Sequence, residues 1–241
     1  MSSNTVSSTP VDATLRVLAL LVLCWTHLLA PPLRTAERGA GGAVRGRIAI
    51  LERDKKPSPD LAAAVVYLDG GAPARPATFD VTTSNKEFVP RVVVAPLGST
   101  VRFPNHDPFN HNVFSVSDPN QFDLGLYGRG DAKGHTFTSP GLVRVFCNIH
   151  PRMAAFVVVL PTRSFAQPTA DGTFTIEDVP PGHYTLHVWH ERSPQVAQEV
   201  TVGRNGVSDL AIELDARGFR WVAHKNKYGK DYPTNAGRER Y

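Results

Sequence analysis

The chain is poor in sulfur. Its 241 residues include 2 cysteines and 2 methionines, and Met1 is one of the latter. Cys24 falls in an apolar N-terminal segment, which leaves Cys147 without a disulfide partner and excludes a disulfide framework. No apolar run reaches the roughly 20 residues of a membrane-spanning helix, and no stretch carries a convincing amphipathic helical period. The excess positive charge is small, +4. The basic residues gather near the end, from Arg217 to Arg240, interleaved with Phe219, Trp221, Tyr228 and Tyr232. That pattern is read as a solvated or loosely docked basic tail, 216–241, rather than a nucleic-acid strip.

What is abundant points to strands. The 20 prolines and 19 glycines favour short strands joined by turns over long helices. Arg16 followed by the apolar stretch 17–30 fits a secretory signal peptide or a short N-terminal anchor, so the protein is expected to be periplasmic or otherwise exported. A linker, 31–42, follows. Alternation predicts strands at 44–51 and 63–68, then a compact β region over 79–162 with strands at 79–82, 91–94, 100–103, 112–116, 136–138, 142–146 and 155–160. Residues 117–134 read as an irregular loop. Beyond Pro161, strands are expected at 173–176, 184–189, 198–202 and 208–214, separated by Asp171-Gly172 and Pro180-Pro181-Gly182 turns.

One loop concentrates the chemistry. Cys147, His150 and Met153 offer a thiolate, an imidazole and a thioether within seven residues, between two apolar strands. A fourth donor must come from another loop, and His111 at the start of the 112–116 strand supplies it. His106 is the rival, set back before Pro108. Cysteine and two histidines in a plane, with a weak methionine above, form a blue-copper ligand set; structural zinc sites rarely use methionine. The metal ligands are therefore read as His111, Cys147, His150 and Met153, holding one type 1 copper ion. His183, His187 and His190 are read as exposed strand histidines, and Arg129-Gly130-Asp131 as a chance tripeptide in a Gly-rich loop.

The C-x-x-H-x-x-M loop, the upstream His-Asn-Val, Phe88-Val89-Pro90, Gly98 and Val101-Arg102-Phe103 resemble the cupredoxins. Amicyanin, pseudoazurin and plastocyanin are the nearest in kind. Phe103-Pro104-Asn105-His106-Asp107 and Phe122-Asp123-Leu124-Gly125 resemble plastocyanin-like methylamine-utilisation proteins. The resemblance implies a Greek-key β-sandwich and assigns Asn112 to tying the two ligand loops together. Val44-Arg45-Gly46-Arg47, Ala64-Val65-Val66-Tyr67-Leu68, Asp171-Gly172-Thr173-Phe174 and 179–186 resemble the carboxypeptidase-regulatory or transthyretin-like β domain. That domain is then split into 43–78 and 163–215 around the copper region.

The expected fold is all-β, a cupredoxin sandwich nested in or beside a second small sandwich. The expected function is single-electron transfer between redox partner proteins, with Arg152 beside an exposed His150 edge favouring an acidic contact face. The alternatives are a copper-storage or delivery protein, or a structural or adhesion β module with accessory copper. An enzyme is not expected, because no H-x-H set accompanies the cysteine ligand. Neither nucleic acid nor a membrane beyond the N-terminal anchor is expected as a partner.

Overall fold

A computed structural model describes residues 41–233. The expectations for the export segment and most of the 31–42 linker lie outside the described residues. The described chain is all-β, with a single 3-10 turn at Leu61–Ala63. The first strands are β1 (Gly42–Leu51), β2 (Val65–Leu68), β3 (Thr78–Asp80), β4 (Thr82–Ser84), β5 (Glu87–Val89) and β6 (Val92–Pro96). Next come β7 (Thr100–Pro104), β8 (His111–Ser115), β9 (Phe122–Tyr127), β10 (Ala132–Thr136), β11 (Gly141–Cys147) and β12 (Ala154–Leu160). The last are β13 (Phe165–Ala166), β14 (Thr173–Val179), β15 (Gly182–Trp189), β16 (Val196–Val202) and β17 (Val207–Asp215).

Strands from the two ends of the described chain pair with each other. β1 lies between β14, antiparallel, and β17, parallel, while a second sheet runs β13-β2-β15-β16. Period-2 alternation puts Val44, Ile48, Ile50, Phe174, Ile176, Ile212 and Leu214 on the inner face of the first sheet. Val66, Leu68, Leu186, Val188, Val200 and Val202 meet them from the second. Gly46 is needed where β1 passes β17, since a Cβ there would stand 2.5 Å from the Leu210 carbonyl oxygen.

The intervening segment builds its own pair of sheets, β6-β12-β11-β8-β9 and β10-β7-β3, with a β4–β5 hairpin beside them. Their core includes Phe88, Phe103, Val113, Phe137, Val145, Val157 and Cys147. The outer faces of β6 and β12 are apolar as well. Val92, Val94, Phe156, Val158 and Leu160 pack on Val65 and Trp189, so one apolar layer joins the two sandwiches.

Two local expectations are corrected. The segment 117–134 is not an irregular loop: β9 pairs antiparallel with β8, and β10 pairs antiparallel with β7. Ladder hydrogen bonds to buried strands outweigh the turn-forming Asp123, Gly125, Gly130 and Gly134. The strand expected at 136–138 accordingly lies at 132–136, with Phe137 just past its end and fully buried. The β4–β5 hairpin was not expected. Its two central residues, Asn85 and Lys86, have φ of 55° and 61°, as a type I′ turn requires.

Candidate metal centre

The site is built at one end of the five-stranded sheet. β8 starts at His111 and β11 ends at Cys147, and the two strands are neighbours with Val113 opposite Cys147. The segment 147–153, from the last residue of β11 to the residue before β12, closes on itself. The Met153 N–H donates to the His150 carbonyl (3.0 Å), and the Cys147 N–H donates to the Met153 carbonyl (3.3 Å). The turn folds His150 back over the cysteine and returns Met153 to the core at the head of β12.

Three of the four expected donors converge. Cys147 Sγ lies 3.6 Å from His111 Nδ1 and 3.5 Å from His150 Nδ1, and all three residues are buried. Metal–donor bonds of about 2.0–2.3 Å, opened by about 110–120°, separate such donors by roughly 3.5–3.8 Å. The cluster fits that requirement and could hold a metal ion. Met153, 1% exposed, is buried in the same core as Cys147. His106 is exposed and stands outside the cluster.

His111 is oriented from behind. Its Nε2 lies 2.8 Å from an Asp107 carboxylate oxygen. An ionised carboxylate only accepts, so Nε2 carries the proton and the Nδ1 lone pair is turned toward the sulfur. Asp107 is itself held by the β4–β5 turn, accepting the N–H groups of Asn85 (2.6 Å) and Lys86 (3.1 Å). Burial pushes the His111 pKa down, against the opposing pull of Asp107. Burial pushes the Cys147 thiol up, although the N–H groups of Asn112, Ile149 and His150 favour its thiolate. A cation would have to displace that proton to bind.

The expectation for Asn112 needs revision in one respect. The tie between the two loops is made by its main chain: the Asn148 N–H donates to the Asn112 carbonyl at 2.8 Å. Its side-chain amide goes instead to Asp123, at 2.6 Å. The expected exposed edge of His150 is also corrected, because the residue is only 4% exposed. The Phe109 ring packs 5.3 Å from the His150 ring and 5.4 Å from that of His111, covering both.

The described part of the basic tail, 216–233, straps the site rather than docking loosely. The Tyr232 hydroxyl donates to the Cys147 carbonyl (2.9 Å), and the Lys227 N–H donates to the Asn148 side chain (3.0 Å). Lys227 Nζ reaches the Asp123 carboxylate at 2.5 Å. The His224 ring stacks on Phe146, with centroids 4.3 Å apart. Asp107, Phe109, Lys227 and Tyr232 were not singled out as site residues from the sequence. Asp107 alone left a signal, an acid four residues before the first histidine.

No family model matches the chain, and no curated protein does. Several solved structures are similar to part of it. A purple cupredoxin from Nitrosopumilus maritimus aligns at 24% identity over 35% of this chain and 99% of its own, with a TM-score of 0.31. A reduced amicyanin variant aligns at 21% identity over 39% of this chain and 98% of its own, with a TM-score of 0.33. A Cu-containing nitrite reductase from Thermus scotoductus SA-01 aligns at 27% identity over 47% of this chain, with a TM-score of 0.34. This chain spans only 28% of that reductase.

Proposed function

We propose that this chain is an exported blue-copper protein that passes single electrons between redox partners. Cys147 as thiolate and the Nδ1 atoms of His111 and His150 would hold the copper as the strong donors, with Met153 as a weaker fourth donor. The single observation that carries this reading is the buried cluster in which one sulfur faces two imidazole nitrogens at 3.5 and 3.6 Å. When bound, copper supplies a one-electron Cu(I)/Cu(II) couple, and this mixed soft and borderline donor set suits both states. Asp107 holds the His111 tautomer, the 147–153 turn holds the other donors, and Phe109 keeps water from the two rings. A site fixed in this way changes little when the electron moves.

The reading extends to organisation and partners. Residues 79–162 form the copper domain, and 43–78 with 163–215 form one carboxypeptidase-regulatory-like domain around it. The pairing of β1 with β14 and β17 supports that division. Arg152, in the ligand loop, favours a partner with an acidic contact face. The chain acts as a carrier, not an enzyme. Copper holding or delivery is the second reading, and the burial of His150 together with the strap across the site favours it.

Voltammetry and chelator competition separate the two readings. A carrier gives a reversible one-electron wave and keeps its copper against a Cu(I) chelator. An irreversible wave, with copper passing readily to the chelator, overturns electron transfer in favour of delivery.

A further inference from the structure

A cavity of about 480 Å3 lies outside the metal cluster, on the opposite face of the strands that carry it. Along β11 the inward residues Val143, Val145 and Cys147 alternate with Leu142, Arg144 and Phe146, which face out. Those outward residues and Phe156 of β12 make the floor. Trp189 and the turn after it form one wall, and the strap residues 219–224 form the other. Pro151 and Arg152 of the ligand loop close one end.

The walls are aromatic and already held in place. Phe146 is stacked on His224, and Phe156 lies against Trp189 with centroids 5.2 Å apart. The charge is one-sided. Four guanidinium groups border the cavity, from Arg91, Arg144, Arg152 and Arg220, against a single carboxylate, Glu191. Glu191 is taken by Arg91 through two bonds of 2.6 and 2.7 Å. Arg152 lies over the Trp221 ring at 5.1 Å, and Arg220 donates to the neighbouring Phe219 carbonyl. Among the described residues, Arg144, Arg152 and Arg220 form no ion pair with a carboxylate.

Arginine forks match a carboxylate in two-point fashion, and flat aromatic walls stack a ring. The size falls within the few hundred Å3 typical of small-molecule sites, and walls that need no rearrangement reduce the ordering cost of binding. An inorganic anion would leave the aromatic surface unused. A protein partner would rest on the rim and leave the concavity unfilled. We propose that this cavity is a binding site for a small aromatic carboxylate of one or two rings, seated beside the ligand loop. The proposal does not depend on which metal occupies the neighbouring cluster.

Calorimetric titration of the full-length apo-protein with 2-naphthoate tests it, with tryptophan fluorescence as a second readout. One-to-one binding is expected, with naphthalene-2-carboxamide at least tenfold weaker because it lacks the charge. Arg144→Ala and, separately, Arg220→Ala should each weaken naphthoate binding about tenfold. Far-ultraviolet dichroism of each variant establishes that it is folded. Equal binding of the carboxamide or of inorganic phosphate overturns the proposal, as does no binding at millimolar concentration. Binding of poly-glutamate without binding of naphthoate overturns it in favour of an acidic protein contact.

Discussion

The two sandwiches have cores of similar make-up but place their polar groups differently. In the flanking sandwich the core is apolar, and its buried polar neighbours Ser58, Ser164 and His190 sit outside the strands. Its ion pairs lie at the surface, as with Arg47 and Asp171, or hold a loop, as Arg192 does with Glu52 and Asp60. The central sandwich buries Asn105, Asp107, His111, Asn112 and His150 at one end. Burying polar groups costs free energy unless each is partnered, so a cluster of them marks work that an apolar core cannot do. Asn105 shows the partnering: it accepts the Asp107 N–H and the Thr83 hydroxyl and donates to the Phe109 carbonyl, shaping the loop before His111. One sandwich is built for packing, the other for a fixed constellation.

If that contrast is right, damage to one sandwich should read out differently from damage to the other. The largest effect is expected from Leu68→Ala in the flanking core, where a fully buried side chain is lost. It should cost about 2–5 kcal/mol in thermal or urea unfolding while leaving the metal affinity of the folded protein unchanged. Loss of metal affinity as large as the loss of stability would show that the two sandwiches do not act separately.

Asp107→Ala should strike the site. Releasing His111 Nε2 is expected to weaken metal binding by the folded protein about 10–100-fold in competition titrations, beside a loss of about 1–3 kcal/mol in apo-protein unfolding from the buried donors left unpaired. Unchanged affinity would mean that packing by Phe109 alone orients the ring.

Met153 sharpens the contrast further, because it belongs to both the core and the proposed ligand set. Met153→Leu should retain copper and raise the reduction potential, since an axial donor profits Cu(II) more. Met153→Gln, with a harder oxygen donor, should lower it. A difference on the order of 60 mV corresponds to a tenfold change in a one-electron equilibrium. Coincident potentials in voltammetry would make Met153 a packing residue only.

The smallest effect belongs to the strap. Tyr232→Phe removes one hydrogen bond to the Cys147 carbonyl, worth about 0.5–1.5 kcal/mol. It should speed labelling of Cys147 by a thiol reagent in the apo-protein by up to about tenfold, as followed by peptide mass spectrometry. An unchanged rate would show that the strap does not restrain the loop.

Legibility in the sequence followed the range of the interactions. Cys147 and His150 were readable because one turn holds both, and strands such as β1 and β12 because alternation and apolar runs are local signals. β9 was hidden by Asp123 and Gly125, which look like turn residues until β8 lies alongside. The β4–β5 hairpin has strands of three residues each, too short to show a period. Tyr232 stands 85 residues from the carbonyl it meets, so only the folded chain reveals the contact. The burial of His150 depends likewise on Phe109 folding over from a separate loop.

The central claim is that Cys147 is the thiolate ligand of a type 1 copper ion. The most direct measurement is the visible absorption spectrum of the protein titrated with Cu(II), beside that of Cys147→Ser. The account predicts an intense thiolate-to-copper band that saturates at one equivalent and is absent in the variant. A wild-type protein that binds Cu(II) with only weak visible bands, indistinguishable from the variant, would contradict it.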